Sequence, residues 1–306
     1  MAIITYNVPI SSYDISLWEW GIYTVANSTH LRITDGRHTL DSYGSFTYAN
    51  NDLSSGLVNS ISWSEWGQTY LTIAGVNGDL SVWASAIDNG QGSSIGTGVF
   101  DGNDIYLGST GYDDFYTYLG NDSYDGGAGI DTVHYSYVSN DGSGFAAAPN
   151  GSGYIVTGGG KTDTLVNVER IDFGDGSTLA LDVKAGENTG AAYRLYQAAF
   201  DRKPDTGGLN YWVKDLDKGN NLQQVAKGFV DSAEFKLISP STDAKSLIDN
   251  FYLHVLHRNA DDAGFKYWQD SMTNGMTASE VLVSFSESAE NINNTAADII
   301  NGVWLV

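Results

Sequence analysis

Residues 126–134 read Gly126-Gly127-Ala128-Gly129-Ile130-Asp131-Thr132-Val133-His134, and the skeleton of this stretch recurs three times upstream at intervals of nine residues. Each unit has a glycine, an aspartate two residues later and a large apolar residue two residues after that. The upstream units carry these positions as Gly120, Asp122 and Tyr124, as Gly111, Asp113 and Phe115, and as Gly102, Asp104 and Tyr106. Four units in one phase indicate a repeated supersecondary unit, and this repeat decides the fold of the region.

The nine-residue period predicts a parallel coil in which each unit contributes a turn and a short strand. Six residues of a unit form the turn, whose glycines adopt positive φ, and the rest form a strand with its apolar side chain pointing inward. Because two units close one coil, turns eighteen residues apart stack on the same edge. A cation between stacked turns would receive carbonyl oxygens and an aspartate carboxylate from each, which is the all-oxygen shell that Ca2+ prefers.

We therefore expect Ca2+ between Asp104 and Asp122 on one edge of the coil, and between Asp113 and Asp131 on the other. The glycines of the same turns complete the predicted metal set: Gly102, Gly111, Gly120, Gly126, Gly127 and Gly129. The first three units lack the double glycine of the fourth. The alternative is a Gly/Asp-rich loop that binds no metal.

The Gly-Gly-x-Gly-x-Asp-x-apolar-x pattern resembles that of repeats-in-toxin proteins, the calcium-binding cargo of bacterial type I secretion. The resemblance covers Val99 to about His134 and extends through residues 163–176, which are similar to the strand-and-turn segment that often follows such rolls. It implies a calcium-binding parallel β-roll and the type I secretion machinery as a partner. It implies no catalytic activity.

The distribution of charge agrees with a calcium-dependent segment. The net charge is −22, and between His38 and Gly160 thirteen Asp and Glu occur without one Lys or Arg. Such a segment repels itself without cations. We expect it to stay unfolded in the calcium-poor cytosol and to fold outside the cell, since metal-binding energy becomes folding energy. Nucleic acid and anionic membranes are poor partners for this charge.

The termini predict how the chain is exported. The first residues lack a basic region followed by an apolar core, so a cleavable secretory signal is not expected. The chain ends in Asn301-Gly302-Val303-Trp304-Leu305-Val306, which resembles the ends of type I cargo. No run is long enough for a transmembrane helix, so membrane insertion is not expected. We expect an extracellular or cell-surface location, reached through an uncleaved C-terminal signal.

Three domains are predicted: a β-rich N-terminal domain at 1–95, the calcium-binding roll with flanking strands at 96–183, and a duplicated helical domain with the secretion signal at 184–306. Apolar and polar residues alternate at 44–48 and 57–63, which predicts strands in an all-β N-terminal domain. Turn signals are Asp35-Gly36, Ser55-Gly56, Asn77-Gly78 and Asn89-Gly90.

Tryptophans of the N-terminal domain are candidates for stacking on sugar rings. The candidates for a glycan site are Trp18, Trp20, Trp63 and Trp66. The alternative is that these aromatic side chains form the core of a small antiparallel sheet.

The last third contains an internal repeat with an offset of fifty-six residues. The motif Arg-x-x-Asp-x-x-Gly-[Leu/Phe]-x-Tyr-Trp begins at Arg202 and again at Arg258. Both copies read as helices, and the pair resembles the domain of unknown function 4214, common near the C-terminus of secreted and surface-layer bacterial proteins. We expect an all-α repeat pair in which Arg202 pairs with Asp205, and Arg258 with Asp261.

The sequence contains few features that indicate an enzyme. It contains neither a His-Glu-x-x-His zinc motif nor a Gly-x-Ser-x-Gly elbow. It also lacks cysteine, so disulfides and thiolate catalysis are excluded. The prediction is a non-catalytic structural protein that attaches to the cell surface, or self-assembles with further copies into a layer, fibre or matrix. The alternative is a secreted adhesin module that binds a surface glycan or another ligand.

Overall fold

The computed structural model describes residues 1–9, 22–49, 52–79, 100–135, 144–241 and 243–305. The chain forms two compact units, Met1–Gly176 and Ser177–Val306. In the part of the chain that the structure describes, the first unit is built of strands and the second is largely helical. The predicted domain boundaries at residues 95 and 183 stay predictions.

The first unit begins with an antiparallel meander. Its strands are β1 (Ile3–Tyr6), β2 (Ile22–Ala26), β3 (His30–Thr34), β4 (His38–Ala49), β5 (Asp52–Glu65) and β6 (Gln68–Asp79). They lie side by side in the order β1-β6-β5-β4-β3-β2. Ile33, Leu40, Ile61 and Ile73 are buried. Alternation of such residues with polar ones is typical of a half-buried sheet, and the predicted β character of this region is confirmed.

Two of the predicted turns are wrong because their glycines lie inside strands. Gly56 is paired with Phe46 in the β4–β5 ladder, and a Cβ on Gly56 would lie 2.7 Å from the Phe46 ring. Gly78 likewise lies within β6. The Asp35-Gly36 turn is confirmed, with a φ of 93° at the glycine, whereas Asn89-Gly90 lies outside the described residues. Glycine in a strand marks the close approach of a neighbour as often as a turn.

The nonapeptides form four short strands: β7 (Ile105–Leu107), β8 (Asp114–Tyr116), β9 (Ser123–Asp125) and β10 (Thr132–Tyr135). Strand β7 pairs in parallel with β9 in one sheet, and β8 pairs in parallel with β10 in another. Tyr106 therefore lies opposite Tyr124, and Phe115 opposite Val133. All four side chains are fully or almost fully buried, and the ring of Phe115 contacts those of both tyrosines across the two sheets.

Segments distant in sequence extend both sheets. The remaining strands of this unit are β11 (Ala146–Asn150), β12 (Gly153–Gly158), β13 (Lys161–Val166) and β14 (Arg170–Phe173). Strand β13 pairs in parallel with β9, and β14 pairs in parallel with β10. On the other side, β1 pairs in parallel with β7 and antiparallel with β6. The meander therefore shares one sheet with β7 and β9, whereas β8 and β10 belong to the other sheet.

The second unit contains two copies of a four-helix arrangement. Its elements are β15 (Thr178–Ala180), α1 (Asn188–Phe200), α2 (Thr206–Asp217), α3 (Leu222–Asp231), α4 (Ala233–Ile238), α5 (Ala244–Leu256), α6 (Asp262–Thr273), α7 (Ala278–Ser286), α8 (Ala289–Ile299) and β16 (Val303–Leu305). Each of the first four helices has its counterpart fifty-six residues later, so the predicted helical duplication is confirmed. Among the described residues, no helix is long and apolar enough to cross a membrane.

Local signals set the helix ends in both copies. The side chain of Asp205 caps α2 by accepting a hydrogen bond from the amide of Gly208 at 2.7 Å, and Asp261 caps α6 in the same way. Gly219 follows the end of α2 with a φ of 94°, a backbone conformation that glycine adopts without strain. Asp205 and Gly219 therefore mark the two ends of α2.

The repeated Tyr-Trp pair divides between core and surface. Trp212 packs its ring at 4.9 Å from that of the buried Phe229, and Trp268 lies at the same distance from Phe285. Tyr211 is 63% exposed. The tryptophan of the pair therefore belongs to the helical core, while the tyrosine faces solvent.

Each repeated arginine meets a glutamate that the sequence analysis did not pair with it. Arg202 binds Glu234 at 2.9 Å, and Arg258 binds Glu290 at 2.8 Å. The predicted ion pair of Arg202 with Asp205 is also present, at a longer 3.6 Å. Each arginine follows the first helix of its copy and each glutamate lies in the first turn of the fourth, so the ion pair joins these two helices.

Candidate metal centre

The turns between the nonapeptide strands stack in two columns, one on each side of the coil. We name the column of turns 100–104 and 117–122 the aromatic edge, because Phe100 and its neighbours carry rings there. The column of turns 108–113 and 126–131 is the glycine edge. In both columns, a turn is hydrogen-bonded to the turn eighteen residues away.

Stacked turns approach so closely that some positions accept only glycine. A Cβ on Gly120 would lie 1.9 Å from the carbonyl oxygen of Gly102, and one on Gly129 would lie 2.4 Å from that of Gly111. Gly120 and Gly129 have positive φ, 106° and 142°, which other residues rarely adopt. The carbonyl oxygens of Gly102 and Gly111 therefore face the turns that contain Gly120 and Gly129.

The repeat aspartates form a ladder on each edge. On the aromatic edge, the amide of Asp104 donates to Oδ1 of Asp122 at 2.9 Å. On the glycine edge, the amide of Asp113 donates to Oδ1 of Asp131 at 2.8 Å. The amide of Ala2 begins the first ladder by donating to Oδ1 of Asp104 at 2.5 Å. The structure thus brings together the two aspartate pairs that the sequence analysis grouped.

Two further carboxylates, which the sequence analysis missed, continue these ladders. The amide of Asp122 donates to Oδ1 of Asp163, and that of Asp131 donates to Oε2 of Glu169, both at 2.8 Å. The aromatic edge therefore ends in Asp163 and the glycine edge in Glu169.

A sequence signal for both residues exists. Each is followed two positions later by a buried apolar residue, Leu165 or Ile171, as every repeat aspartate is. Leu165 lies opposite Tyr124 and Ile171 opposite Val133. The acid-x-apolar triplet, without the glycines, could have identified the next coil.

Two carboxylate oxygens of the ladders are buried without a hydrogen-bond partner in the part of the chain that the structure describes. They are Oδ2 of Asp104 and Oδ2 of Asp131. The second of these faces its own turn, because a Cβ on Gly126 would lie 2.5 Å from it. In contrast, Oδ2 of Asp113 accepts hydrogen bonds from the amide and the hydroxyl of Ser109 at 2.7 and 2.9 Å. A buried carboxylate oxygen without a partner carries a free-energy cost that a proton or a cation removes.

Burial makes the charged form of these aspartates unfavourable. The pKa of Asp131 is raised to about 7, mainly by burial and also by the neighbouring carboxylates of Glu169 and Asp113, against the hydrogen bond from the Asp113 amide, which lowers it. Burial also raises the pKa of Asp122 to about 6. Desolvation and like charge both favour the neutral acid. A bound cation would reverse this preference.

These residues fit a calcium ion better than a transition metal. Among the described residues, no group of three or more His, Cys, Asp or Glu side chains is placed to hold a metal. The available metal ligands are instead backbone carbonyl oxygens of stacked turns and single carboxylates, which are the hard oxygen ligands that Ca2+ prefers. The residues that would hold it on the glycine edge are Gly108, Ser109, Gly111, Asp113, Gly126, Gly127, Gly129 and Asp131; on the aromatic edge they are Gly102, Asp104, Gly120 and Asp122.

The predicted glycan-binding tryptophans do not form one group that can be described. Trp66 is 76% exposed at the turn between β5 and β6. Trp63 is half-buried, with its ring centroid 6.0 Å from that of His38. Trp18 and Trp20 lie outside the described residues.

Comparison with known families identifies the helical unit alone. Residues 186–239 and 237–295 each match the family model described as Domain of unknown function (DUF4214). The C-terminal region therefore contains two copies of this domain, as its Arg-x-x-Asp-x-x-Gly motifs indicate. None of the curated proteins matches the chain. The resemblance of the nonapeptides to repeats-in-toxin proteins stays a prediction.

Proposed function

We propose that this chain is an extracellular, non-catalytic, calcium-binding structural protein. In this proposal the nonapeptide coil is a β-roll that folds after type I secretion. The protein then attaches to the cell surface or self-assembles there with further copies. Its partners are the type I secretion machinery and other copies of itself.

The observation that carries this proposal is the buried Oδ2 of Asp131, which has no hydrogen-bond partner among the described residues. It lies in a turn whose carbonyl neighbours are stacked at close range. A divalent cation would neutralise this carboxylate and use the carbonyl oxygens in the same shell. Without the ion, the carboxylates repel one another and favour the unfolded chain.

Calcium gives such a chain a way to distinguish compartments. Binding to a site that exists only in the folded state stabilises that state in proportion to the logarithm of free calcium. The acidic segment therefore stays unfolded, and able to pass through a secretion channel, where calcium is scarce. It folds where calcium is abundant.

The test of folding is circular dichroism of the full chain in chelator and in millimolar calcium, with magnesium as the control ion. We expect strand signal to appear with calcium and not with magnesium, because Mg2+ dehydrates reluctantly and demands near-ideal octahedral geometry. A spectrum insensitive to chelator would contradict calcium-driven folding.

The test of assembly is the mass of the full chain by light scattering during the same titration. Growth into large, regular polymers would support a building block of an extracellular layer, fibre or matrix, and imaging would then define its geometry. A compact monomer at every calcium concentration would contradict self-assembly.

A second candidate function, a glycan-binding adhesin module, is favoured by the exposure of Trp66. An exposed indole at a hairpin turn can stack on a sugar ring. The test is binding of the full chain and of Trp66→Ala to a glycan array, with Tyr211→Ala as a matched loss of an exposed ring in the other unit. Loss of glycan binding in Trp66→Ala alone would support this candidate, and absence of binding by the wild type would exclude it for the glycans on the array.

A further inference from the structure

The two edges of the coil differ at the second residue of each nonapeptide, which is Gly127 in the unit 126–134. On the aromatic edge this position carries Phe100 and Tyr118, whose ring centroids lie 5.1 Å apart. On the glycine edge it carries Ser109 and Gly127, and a Cβ on Gly127 would lie 2.2 Å from the carbonyl oxygen of Ser109. At this position, therefore, aromatic rings pack against each other on one edge, while on the other edge the two backbones approach directly.

The aromatic edge also holds a cation of the chain itself. Lys161, at the start of β13, is buried, and its ammonium group donates a hydrogen bond to the carbonyl oxygen of Tyr118. The same nitrogen lies 5.8 Å from the centroid of the Tyr135 ring. The carbonyl oxygen of Tyr118, in the turn that precedes Asp122, is thus already bound to a positive charge of the chain.

Tyrosine hydroxyls satisfy the carboxylates of the aromatic edge from inside the core. The hydroxyl of Tyr124 donates to Oδ2 of Asp122 at 3.2 Å, and that of Tyr135 donates to Oδ2 of Asp163 at 2.7 Å. Asp104 is the exception, because in the described part of the chain neither its buried Oδ2 nor the buried hydroxyl of Tyr106 has a hydrogen-bond partner. In the next coil, the equivalent groups of Asp122 and Tyr124 are hydrogen-bonded to each other.

Among the described residues, no hydroxyl reaches the carboxylates of the glycine edge from the inward positions, although Ser109 donates to Asp113 from its own turn. The inward positions of this edge, two residues after each acid, are Phe115, Val133 and Ile171, none of which has a hydroxyl. Oδ2 of Asp131 remains buried and without a partner among the described residues. The guanidinium of Arg170 donates to the carbonyl oxygen of Glu169 at 2.8 Å.

We propose that calcium binds this coil on the glycine edge only, and that on the aromatic edge the ammonium of Lys161 and the tyrosine hydroxyls take the place of the ion. This inference rests on the proposed calcium-dependent function. It is narrower than the sequence prediction of an ion on each edge. One edge of the coil would then be ordered by the chain and the other by calcium.

The first experiment measures calcium binding to the full chain by isothermal titration calorimetry, for the wild type, Asp131→Asn and Asp122→Asn. Each substitution removes one carboxylate charge at an equivalent position of the two ladders. We expect Asp131→Asn to weaken the tightest binding at least about tenfold, because it removes a buried charged ligand. Asp122→Asn should leave stoichiometry unchanged and affinity within about twofold.

The outcomes separate this inference from the proposed function. Equal losses in both variants, or loss in Asp122→Asn alone, would overturn the assignment to the glycine edge while calcium binding stands. No heat of binding in the wild type would overturn the proposed function itself. Circular dichroism of each variant at saturating calcium shows whether it folds.

The second experiment replaces the ammonium. At saturating calcium, we expect Lys161→Gln to lower the unfolding temperature of the strand signal, since the Tyr118 carbonyl loses its charged partner. Lys266→Gln, which makes the same charge change at an exposed lysine paired with Asp270, is the matched control. Equal unfolding temperatures for the two variants would overturn the role of Lys161.

Discussion

The two units of this protein differ in how they balance negative charge. Met1–Gly176 contains twenty Asp and Glu against four Lys and Arg, whereas Ser177–Val306 contains seventeen against eleven. In the helical unit, Arg194 is buried and binds Glu287 at 2.7 Å. In the strand unit, the buried Asp131 has instead the carboxylates of Asp113 and Glu169 as neighbours. A cation supplied by the chain stabilises one unit, and we expect a cation supplied by the environment to stabilise the other.

The largest difference between the units should follow removal of calcium. In chelator we expect the amides of β9 and β10 to lose protection from hydrogen exchange, while those of α1 and α5 keep it. At a calcium concentration one thousand times Kd, bound calcium would stabilise the strand unit by about 4 kcal/mol. Hydrogen exchange read by mass spectrometry measures both units in one sample. Unchanged protection of β9 and β10 in chelator would contradict the proposed difference in calcium dependence between the two units.

Breaking the buried ion pair of the helical unit should have the next largest effect. Glu287→Ala leaves the guanidinium of Arg194, which also donates to the carbonyl oxygen of Val183, buried without its carboxylate. We expect a loss of about 3 kcal/mol in the free energy of unfolding of this unit, measured by urea denaturation. The double variant Arg194→Met/Glu287→Leu is the control, and it should recover most of the loss. A double variant as unstable as Glu287→Ala would show that packing, rather than charge, is responsible.

The two units should respond to pH with opposite signs. Burial places the pKa of folded Asp131 at about 7, above its ordinary value of 3.8, so the folded state holds this proton more tightly than the unfolded state does. Its contribution to stability is full below about pH 4 and is lost as the pH rises through about 7. In the helical unit, hydrogen bonds from Ser241 and Ser246 lower the pKa of Asp243 to about 2. That contribution is present above about pH 4 and is lost as the pH falls.

Circular dichroism in chelator, without denaturant, measures this contrast, and we expect the effect to lie between those of Glu287→Ala and of the exposed ion pairs of the helical repeats. From about pH 4.5 to 7.5, the strand signal should fall while the helical signal stays constant. Saturating calcium should abolish the fall, since the ion takes the place of the proton. A strand signal that rises with pH in chelator would contradict the raised pKa of Asp131.

The smallest effect is expected for the exposed ion pairs of the helical repeats. Glu290→Ala removes the partner of Arg258, and both side chains are more than two fifths exposed. Such pairs contribute about 0–1 kcal/mol, so the unfolding free energy should change by less than about 1 kcal/mol. Glu234→Ala in the first copy should behave in the same way. A loss comparable to that of Glu287→Ala would indicate that these pairs matter as much as the buried one.

Sequence patterns predicted the helical unit well because its signals are local. Asp205 caps a helix three residues from its acceptor amide, and Gly219 ends the same helix. The turn predicted at Ser55-Gly56 is wrong because a glycine required by a neighbouring strand has the same sequence signature as one that makes a turn. The difference depends on the pairing of Gly56 with Phe46 in the neighbouring strand, which the residues around Gly56 do not reveal.

The sequence by itself determined the phase of the nonapeptides and the fifty-six-residue offset of the helices, since a repeat written in the chain needs no knowledge of the fold. The tertiary structure decided that Asp163 and Glu169 extend the ladders and that Lys161 lies on the Tyr118 carbonyl. These contacts join residues 38 to 43 positions apart that share no period. They follow from the burial of Leu165 and Ile171 against strands of an earlier coil, and burial sets the register only when distant segments meet.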